Sequence, residues 1–299
     1  MADRSASPRT PEARAAALSC WSGPVDPEPL PGGITNTNLV VRDGSERFVV
    51  RIGDDLPLHG VVRRHELATC VAAHACGLSP EIVHHEPGAL VMRYVDAATL
   101  TAEDIRRPET RRRVTALIRR CHTEMPRHLR GATVMFWVFQ VCRDYLATVR
   151  DGRGRHQDVL AELSRRNAAL EHAAGPIHPV FCHNDLLAAN ILDDGTDLWL
   201  LDWEYAGWNS AYFDLANLAS NNELNPQDEI SLLEDYFDRP ARPQDLTSFR
   251  AMKCASLLRE TLWSLVQERH STLDFDYGSY TDDQLERFRR AYAELGLPR

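Results

Sequence analysis

Three residues within one short stretch have the types and spacing to move a phosphoryl group. His183-Asn184-Asp185 is followed, five positions after the aspartate, by Asn190. Asp202-Trp203-Glu204 then closes a short apolar run, Leu198 to Leu201. Phosphoryl transfer from ATP needs a carboxylate to take the acceptor hydroxyl's proton and hard oxygen ligands to hold magnesium on the phosphates. Asp185 is the candidate base. Asn190 and Asp202 each offer one oxygen to the metal, and Glu204 is a candidate for a second ion or its water shell. His183 reads as structural, hydrogen-bonding the loop in place. A lone Asp-Asn pair more often caps a turn or helix. Here His183, Asp185 and Asn190 share H-x-D-x-x-x-x-N spacing, and the tight Asp193-Asp194-Gly195 turn leads to a second acidic site.

These residues need elements to position them. Thr37–Arg42 and Arg47–Ile52 are β-branched or apolar runs joined by Asp43-Gly44, a hairpin signal. Val61–Ala75 has helical periodicity and stops at Gly77. Glu81–His85 and Ala89–Tyr94 read as two more strands around Pro87-Gly88, so residues 30–94 are β-β-α-β-β. Glu12–Cys20 reads as a short helix and Pro24–Pro31 as extended chain. Beyond a linker near 94–97 the pattern is mostly helical, over Thr99–Ile105 (with a Thr-x-x-Glu type start), Pro108–Glu124, Trp137–Arg150, Gln157–His172, 211–220, 227–237, 243–269 and 281–294. The expectation is an α+β, two-lobed fold. Residues 1–10 form a disordered tail, 11–94 a small β-rich nucleotide-binding lobe, and 95–299 a larger helical catalytic and acceptor-binding lobe. A cleft between two lobes is a natural ligand site.

Bulk properties narrow the partners. A net charge of -9 argues against general nucleic-acid binding, which needs basic surface. No run is long enough to span a membrane, and the N-terminus lacks a signal-peptide core, so a cytoplasmic location is expected. The seven scattered cysteines contain no C-x-x-C pair, which favours reduced thiols. Lys253 is the only lysine, so any phosphate-binding cation in the N-terminal half must be arginine.

At this point the motifs resemble a known family. Leu201-Asp202-Trp203-Glu204-Tyr205-Ala206-Gly207-Trp208-Asn209 and Phe213-Asp214-Leu215-Ala216-Asn217 are similar to the second motif of the choline/ethanolamine kinases, within the wider aminoglycoside phosphotransferase-like group of protein-kinase-like folds. Gly32-Gly33-Ile34-Thr35-Asn36 resembles that family's phosphate loop. Leu262-Trp263-Ser264-Leu265-Val266-Gln267 and Phe275-Asp276-Tyr277-Gly278-Ser279-Tyr280 resemble its C-terminal segment. The resemblance implies that backbone groups of Gly33, Thr35 and Asn36 cradle phosphates. It implies that Arg51, where most kinases carry lysine, pairs with phosphates and with Glu66, and that backbone around Met92 and Tyr94 meets adenine.

Only about ten residues separate Asp202 from the Phe213-Asp214 region. That leaves no room for a peptide-docking segment, so a small acceptor is expected. The family's acceptors are ammonium alcohols, which aromatic faces and carboxylates hold. Candidates here are Tyr205, Trp208, Glu260, Trp263, Tyr277 and Tyr280. Choline stands first on motif resemblance. Ethanolamine is the alternative, because N–H groups can bond a carboxylate at Glu260 where the eukaryotic members resemble one another in carrying tryptophan. Other readings are a kinase of an aminoglycoside, thiamine or a sugar, and a non-catalytic nucleotide-binding regulator.

Overall fold

Alternation of apolar and polar residues builds the small lobe. In a computed structural model, which describes residues 10–31, 36–150, 155–271, 273 and 275–297, five strands form one antiparallel sheet. They are β1 (Glu28–Leu30), β2 (Thr37–Asp43), β3 (Glu46–Ile52), β4 (Ile82–Glu86) and β5 (Ala89–Arg93), in the order β1-β2-β3-β5-β4. Leu39 and Val41 of β2, with Val50 and Ile52 of β3, point to one face. They bury there with Phe48, Val91 and residues Ala15 and Leu18 at the N-terminal helix α1 (Pro11–Ala16). Gly44, at the first position of the two-residue β2–β3 turn, has φ +62°, a conformation that glycine adopts freely. The helix α2 (Arg63–Ala75) lies between β3 and β4 in the chain and buries Glu66, Thr69, Cys70, Ala72 and Ala73.

The large lobe is built around one long helix. It contains α3 (Ala102–Arg106), α4 (Pro108–Glu124), α5 (Val138–Arg150), α6 (Leu160–Ala174), α7 (Ala211–Asn221), α8 (Pro226–Phe237), α9 (Pro243–His270) and α10 (Tyr277–Leu295). From Cys254 to Gln267 every residue of α9 except Glu260 is buried. A helix apolar on all sides belongs in a core, and α9 packs against α5, α6, α7 and α10. Two small sheets frame the cleft. One joins β6 (Ala98–Thr99), β8 (Ile191–Asp193) and β9 (Leu198–Leu200); the other joins β7 (Pro179–Cys182) and β10 (Gly207–Ser210). No helix among the described residues is long and apolar enough to cross a membrane.

The expected α+β two-lobed architecture is the observed one, with element ends that shift locally, and three of the differences have a plain physical cause. The proline-rich stretch contributes β1, because β2 offers it an edge to pair with: Pro29 lies opposite Leu39. The helix expected to open at Thr99 starts later. Thr99 pairs with Leu192, and Thr101 forms the cap, its hydroxyl accepting from Asp104 N while Asp104 Oδ2 accepts from Thr101 N. The last helix begins at Tyr277 rather than 281, capped by Asp276, whose Oδ1 accepts from Ser279 N at 3.0 Å.

Candidate active site

The strand β7 ends at Cys182 and delivers His183-Asn184-Asp185 into the cleft. Asp214, buried near the start of α7, ties this loop down. Its two oxygens accept from His183 N and Asn184 N, each at 2.8 Å, and Oδ2 also meets His122 Nε2 at 2.9 Å. His183 donates from Nε2 to Leu201 O at 2.8 Å, and its Nδ1 accepts from Asp185 N at 3.3 Å. That pattern requires the neutral ring, and burial pulls its pKa down. His183 is thus a strut between two loops, as its sequence context implied. Asn184 sits at φ +67°. Such backbone persists where the surroundings over-determine it: its amide donates to Tyr205 O at 3.0 Å and accepts from Asn209 Nδ2 at 2.9 Å.

Asn190 ends a one-turn helix, Ala188–Asn190. Its Nδ2 donates to Asp185 O at 3.0 Å, so the oxygen is the amide atom left for a cation. Leu201 N donates to Asn190 O at 2.9 Å, which sets Asp202 beside Asn190 across the β8–β9 hairpin. Asp202 also takes a left-handed backbone, φ +66°. Its Oδ1 accepts from Arg51 Nη2 of β3 at 2.6 Å. Arg51 also pairs with Glu66 of α2. Arg63 then bonds Glu66 Oε2 at 2.7 Å, Glu204 Oε2 at 3.0 Å and Asn36 Oδ1 at 2.6 Å, and Asn36 Nδ2 donates to Glu204 at 3.1 Å. One buried charged network therefore joins the small lobe to Asp202 and Glu204. Glu204 faces Arg63 and Asn36 within it.

On the other side of Asp185 lies α9. Arg259, buried, places Nη1 at 3.5 Å from Asp185 Oδ1 and 2.9 Å from Glu260 Oε2, with its guanidinium 4.6 Å from the Tyr205 ring centre. Tyr280 OH donates to Glu260 Oε1 at 2.8 Å. Trp263 follows Glu260 by three residues, so both lie on one side of α9. Its ring stands edge-on to Tyr277 at 6.1 Å, and Phe275 packs on Tyr277 and Tyr280 at 4.8 and 5.8 Å. Burial pushes the Asp185 carboxyl up to about 7, against the downward pull of Arg259. A carboxylate at that value, in the field of Glu260, Asp202 and Glu204, can take a proton from an alcohol near neutral pH.

The choline/ethanolamine kinase family description matches residues 28–231. This chain belongs to that family. It is accordingly a phosphotransferase acting on an alcohol. Ethanolamine kinase 2 of Rattus norvegicus is 28% identical over 279 residues, covering 83% of this chain and 71% of that protein. The crystal structure of a choline/ethanolamine kinase family protein from Mesorhizobium loti shares 29% identity and a TM-score of 0.74, covering 94% of this chain and 92% of that one. LicA in complex with AMP has the same fold at 21% identity, with a TM-score of 0.77 and coverage of 95% and 97%.

Against the family expectations, Asp185, Asn190, Asp202, Glu204, Arg51, Glu66 and Asn36 form one connected set, and Glu260, Trp263, Tyr277, Tyr280 and Tyr205 form a second set next to it. Gly33 and Thr35 lie outside the described residues. Trp208 is elsewhere. It sits on β10, edge-on to Phe181 at 5.7 Å, with Nε1 donating to Thr133 Oγ1 at 2.8 Å. The β7–β10 pairing turns it toward Phe181, opposite which it lies, so it packs on the strand behind the catalytic loop. Met92 pairs with Val49 inside β5, and Tyr94 N donates to Arg47 O at 3.0 Å. Their N–H groups serve the small lobe, so an adenine edge would have to be met by backbone beyond that bond. Sequence reasoning missed Arg259, Arg63 and Phe275. Arg259 carried a signal: an arginine beside a glutamate inside an otherwise apolar helix run, Leu257 to Leu262, must find a buried partner.

Proposed function

We propose that the chain transfers the γ-phosphate of ATP to the hydroxyl of a small amino-alcohol, choline first, with Asp185 as the base and magnesium held by Asn190 and Asp202. The observation that carries the reading is the position of Asp185: a partly buried carboxylate raised to about 7, between the Asp202–Arg51 pair and the Glu260–Trp263–Tyr280 wall. An amide oxygen and a carboxylate are hard donors, the set magnesium takes while keeping several waters, whereas thiol and imidazole donors are not among them. The Asn190 oxygen and the second oxygen of Asp202 fit that role. When bound, the ion would neutralise phosphate charge. Glu204 supports the small lobe through Arg63 and Asn36, and a share in a second ion remains part of the proposal. Adenine nucleotide use is supported by the AMP complex of LicA, which has the same fold.

Asp185 accepts the proton as the acceptor oxygen attacks phosphorus, and Arg51 offers its fork to phosphate oxygens. The acceptor cation would lie against Trp263 and near Glu260. The charges there leave a deficit for it to fill, since Arg259 is one cation against Asp185 and Glu260. Ethanolamine is a second reading. A primary ammonium can donate to Glu260 Oε1 or Oε2 alongside Tyr280 and Arg259, and a trimethylammonium cannot.

Phosphorylated product should be measured with choline, ethanolamine, thiamine, a sugar and an aminoglycoside, each with ATP and magnesium. Transfer to choline or ethanolamine is expected. Transfer only to one of the other acceptors would overturn the substrate reading, and no transfer to any would favour the non-catalytic alternative. Within this reading, Trp263→Ala is expected to raise KM for the amino-alcohol by roughly 5–30-fold, from loss of a cation–π face worth about 1–2 kcal/mol, while KM for ATP stays within about twofold. Equal changes in both constants would count against an acceptor role for Trp263.

A further inference from the structure

The two lobes are joined behind the cleft, where Leu200 N donates to Leu78 O at 2.7 Å and Ser79 Oγ to Leu200 O at 2.6 Å, and they are pinned again at its two ends. At the phosphate end the pins are charged: Arg51 to Asp202, and Arg63 and Asn36 to Glu204. At the acceptor end the pin is neutral, and it comes from the loop between β3 and α2. This loop closes on itself, with Leu56 N donating to Val61 O and Val61 N to Leu56 O at 3.0 and 3.1 Å. It carries a single helical turn, Pro57–His59, ended by Gly60 at φ +69°. From that turn His59 of the small lobe enters the large lobe and is only 9% exposed. Nδ1 meets Tyr145 OH of α5 at 3.2 Å and Nε2 meets Gln267 Oε1 of α9 at 3.3 Å. Its ring centre stands 5.9 Å from that of Trp263 and 5.7 Å from that of Tyr145.

We propose that His59 is a positioning residue for the acceptor: the loop holds the imidazole against Trp263 and thereby fixes the acceptor wall of the large lobe relative to the nucleotide on the small lobe. This rests on the amino-alcohol kinase reading. The physical need is plain. The nucleotide is carried by one lobe and the acceptor by the other, and transfer requires the reacting atoms to be held in near-attack geometry, where displacement by about 1 Å costs on the order of 10²-fold. A bridge at the phosphate end fixes the nucleotide against Asp202 and does not by itself set the far end of the cleft. His59 supplies the second point. The neutral ring suits the task on both counts. It donates at Nε2 to the Gln267 oxygen while accepting at Nδ1 from Tyr145, and it brings no positive charge to a wall that is to receive a cation. Burial, aided by Arg259, pulls its pKa down to about 4, which keeps it neutral at working pH.

The test is the division of effect between the two substrates. His59→Ala is expected to raise KM for the amino-alcohol about tenfold and to lower kcat several-fold, with KM for ATP within about twofold of the parent. His59→Gln, whose amide can both donate to Gln267 and accept from Tyr145, is expected to recover most of the loss. Tyr145→Phe, which removes one hydroxyl, should show the same split at smaller size. Unchanged amino-alcohol kinetics in His59→Ala, or equal changes in both KM values, would overturn the proposal. So would a His59→Gln variant no better than alanine. If His59→Ala does not fold, Tyr145→Phe decides by the same split. A parent enzyme with no amino-alcohol transfer sinks the substrate reading itself; a parent that is active while the variants show no split sinks only the role of His59.

Discussion

Replacing Asp185 with asparagine is expected to lower kcat by roughly 10²–10⁴-fold, the range for loss of a positioned general base, with nucleotide affinity within a few-fold of the parent. Asparagine keeps the shape and leaves the backbone bonds of the loop to Asp214 intact, so the loss reports the proton acceptor rather than a collapsed loop. Single-turnover phosphoryl transfer together with equilibrium nucleotide binding measures both quantities. A variant retaining more than about a tenth of parental kcat would remove Asp185 from the role of base. The pH dependence is a second arm. The carboxyl is raised to about 7, and only the ionised form can accept a proton. The rate should therefore fall tenfold per pH unit below about 7 and level off above it. Arg259 opposes the effect of burial at Asp185, so Arg259→Met should move this acid limb to higher pH by about one unit or more. A limb that stays in place or moves to lower pH contradicts the assigned electrostatics.

The second large effect is expected at Glu66. Its side chain is 3% exposed and lies between two arginines, Arg51 and Arg63, that reach Asp202 and Glu204. Glu66→Ala leaves the buried guanidinium of Arg51 and the partly buried one of Arg63 each short of a partner. Removing one member of a buried pair costs about 3–5 kcal/mol, which for a chain of this size is a fall in Tm of about 5–8 °C. KM for ATP should rise as well, since Arg51 loses the carboxylate that aims it. Glu66→Gln keeps an acceptor oxygen and should lose less of both. Thermal unfolding at low and at 0.5 M salt checks the estimate. A loss under about 1 kcal/mol, or one abolished by salt, would mean that water reaches the network and that it is not a buried clamp.

Much of the candidate site was legible because it is encoded in short-range order. Asp185 and Asn190 lie five residues apart on one loop, and Asp202 follows after a turn and a strand, so local spacing alone brings the three into one place. The small lobe was legible for a similar reason: β2 and β3 alternate cleanly about Asp43-Gly44. The first strand was not, since Glu28–Leu30 has no pattern of its own and is extended because β2 offers it an edge. Tyr205 and Trp208 make the limit plain. Both stand in the same motif three residues apart, with similar aromatic character, yet one lies under Arg259 and the other behind the loop against Phe181.

The sequence by itself determined the reaction class and the fold and marked candidate residues for the phosphate end, because that information sits in contiguous motifs and in hydrophobic period. Only the tertiary structure decided what surrounds them. It brought Arg259 to Asp185 across 74 positions and His59 to Gln267 across 208, contacts that no local spacing encodes. It also decided the electrostatic character of the proposed base. An aspartate is ordinarily an acid near 4, and burial, a property of the packed chain, raises this one toward neutrality.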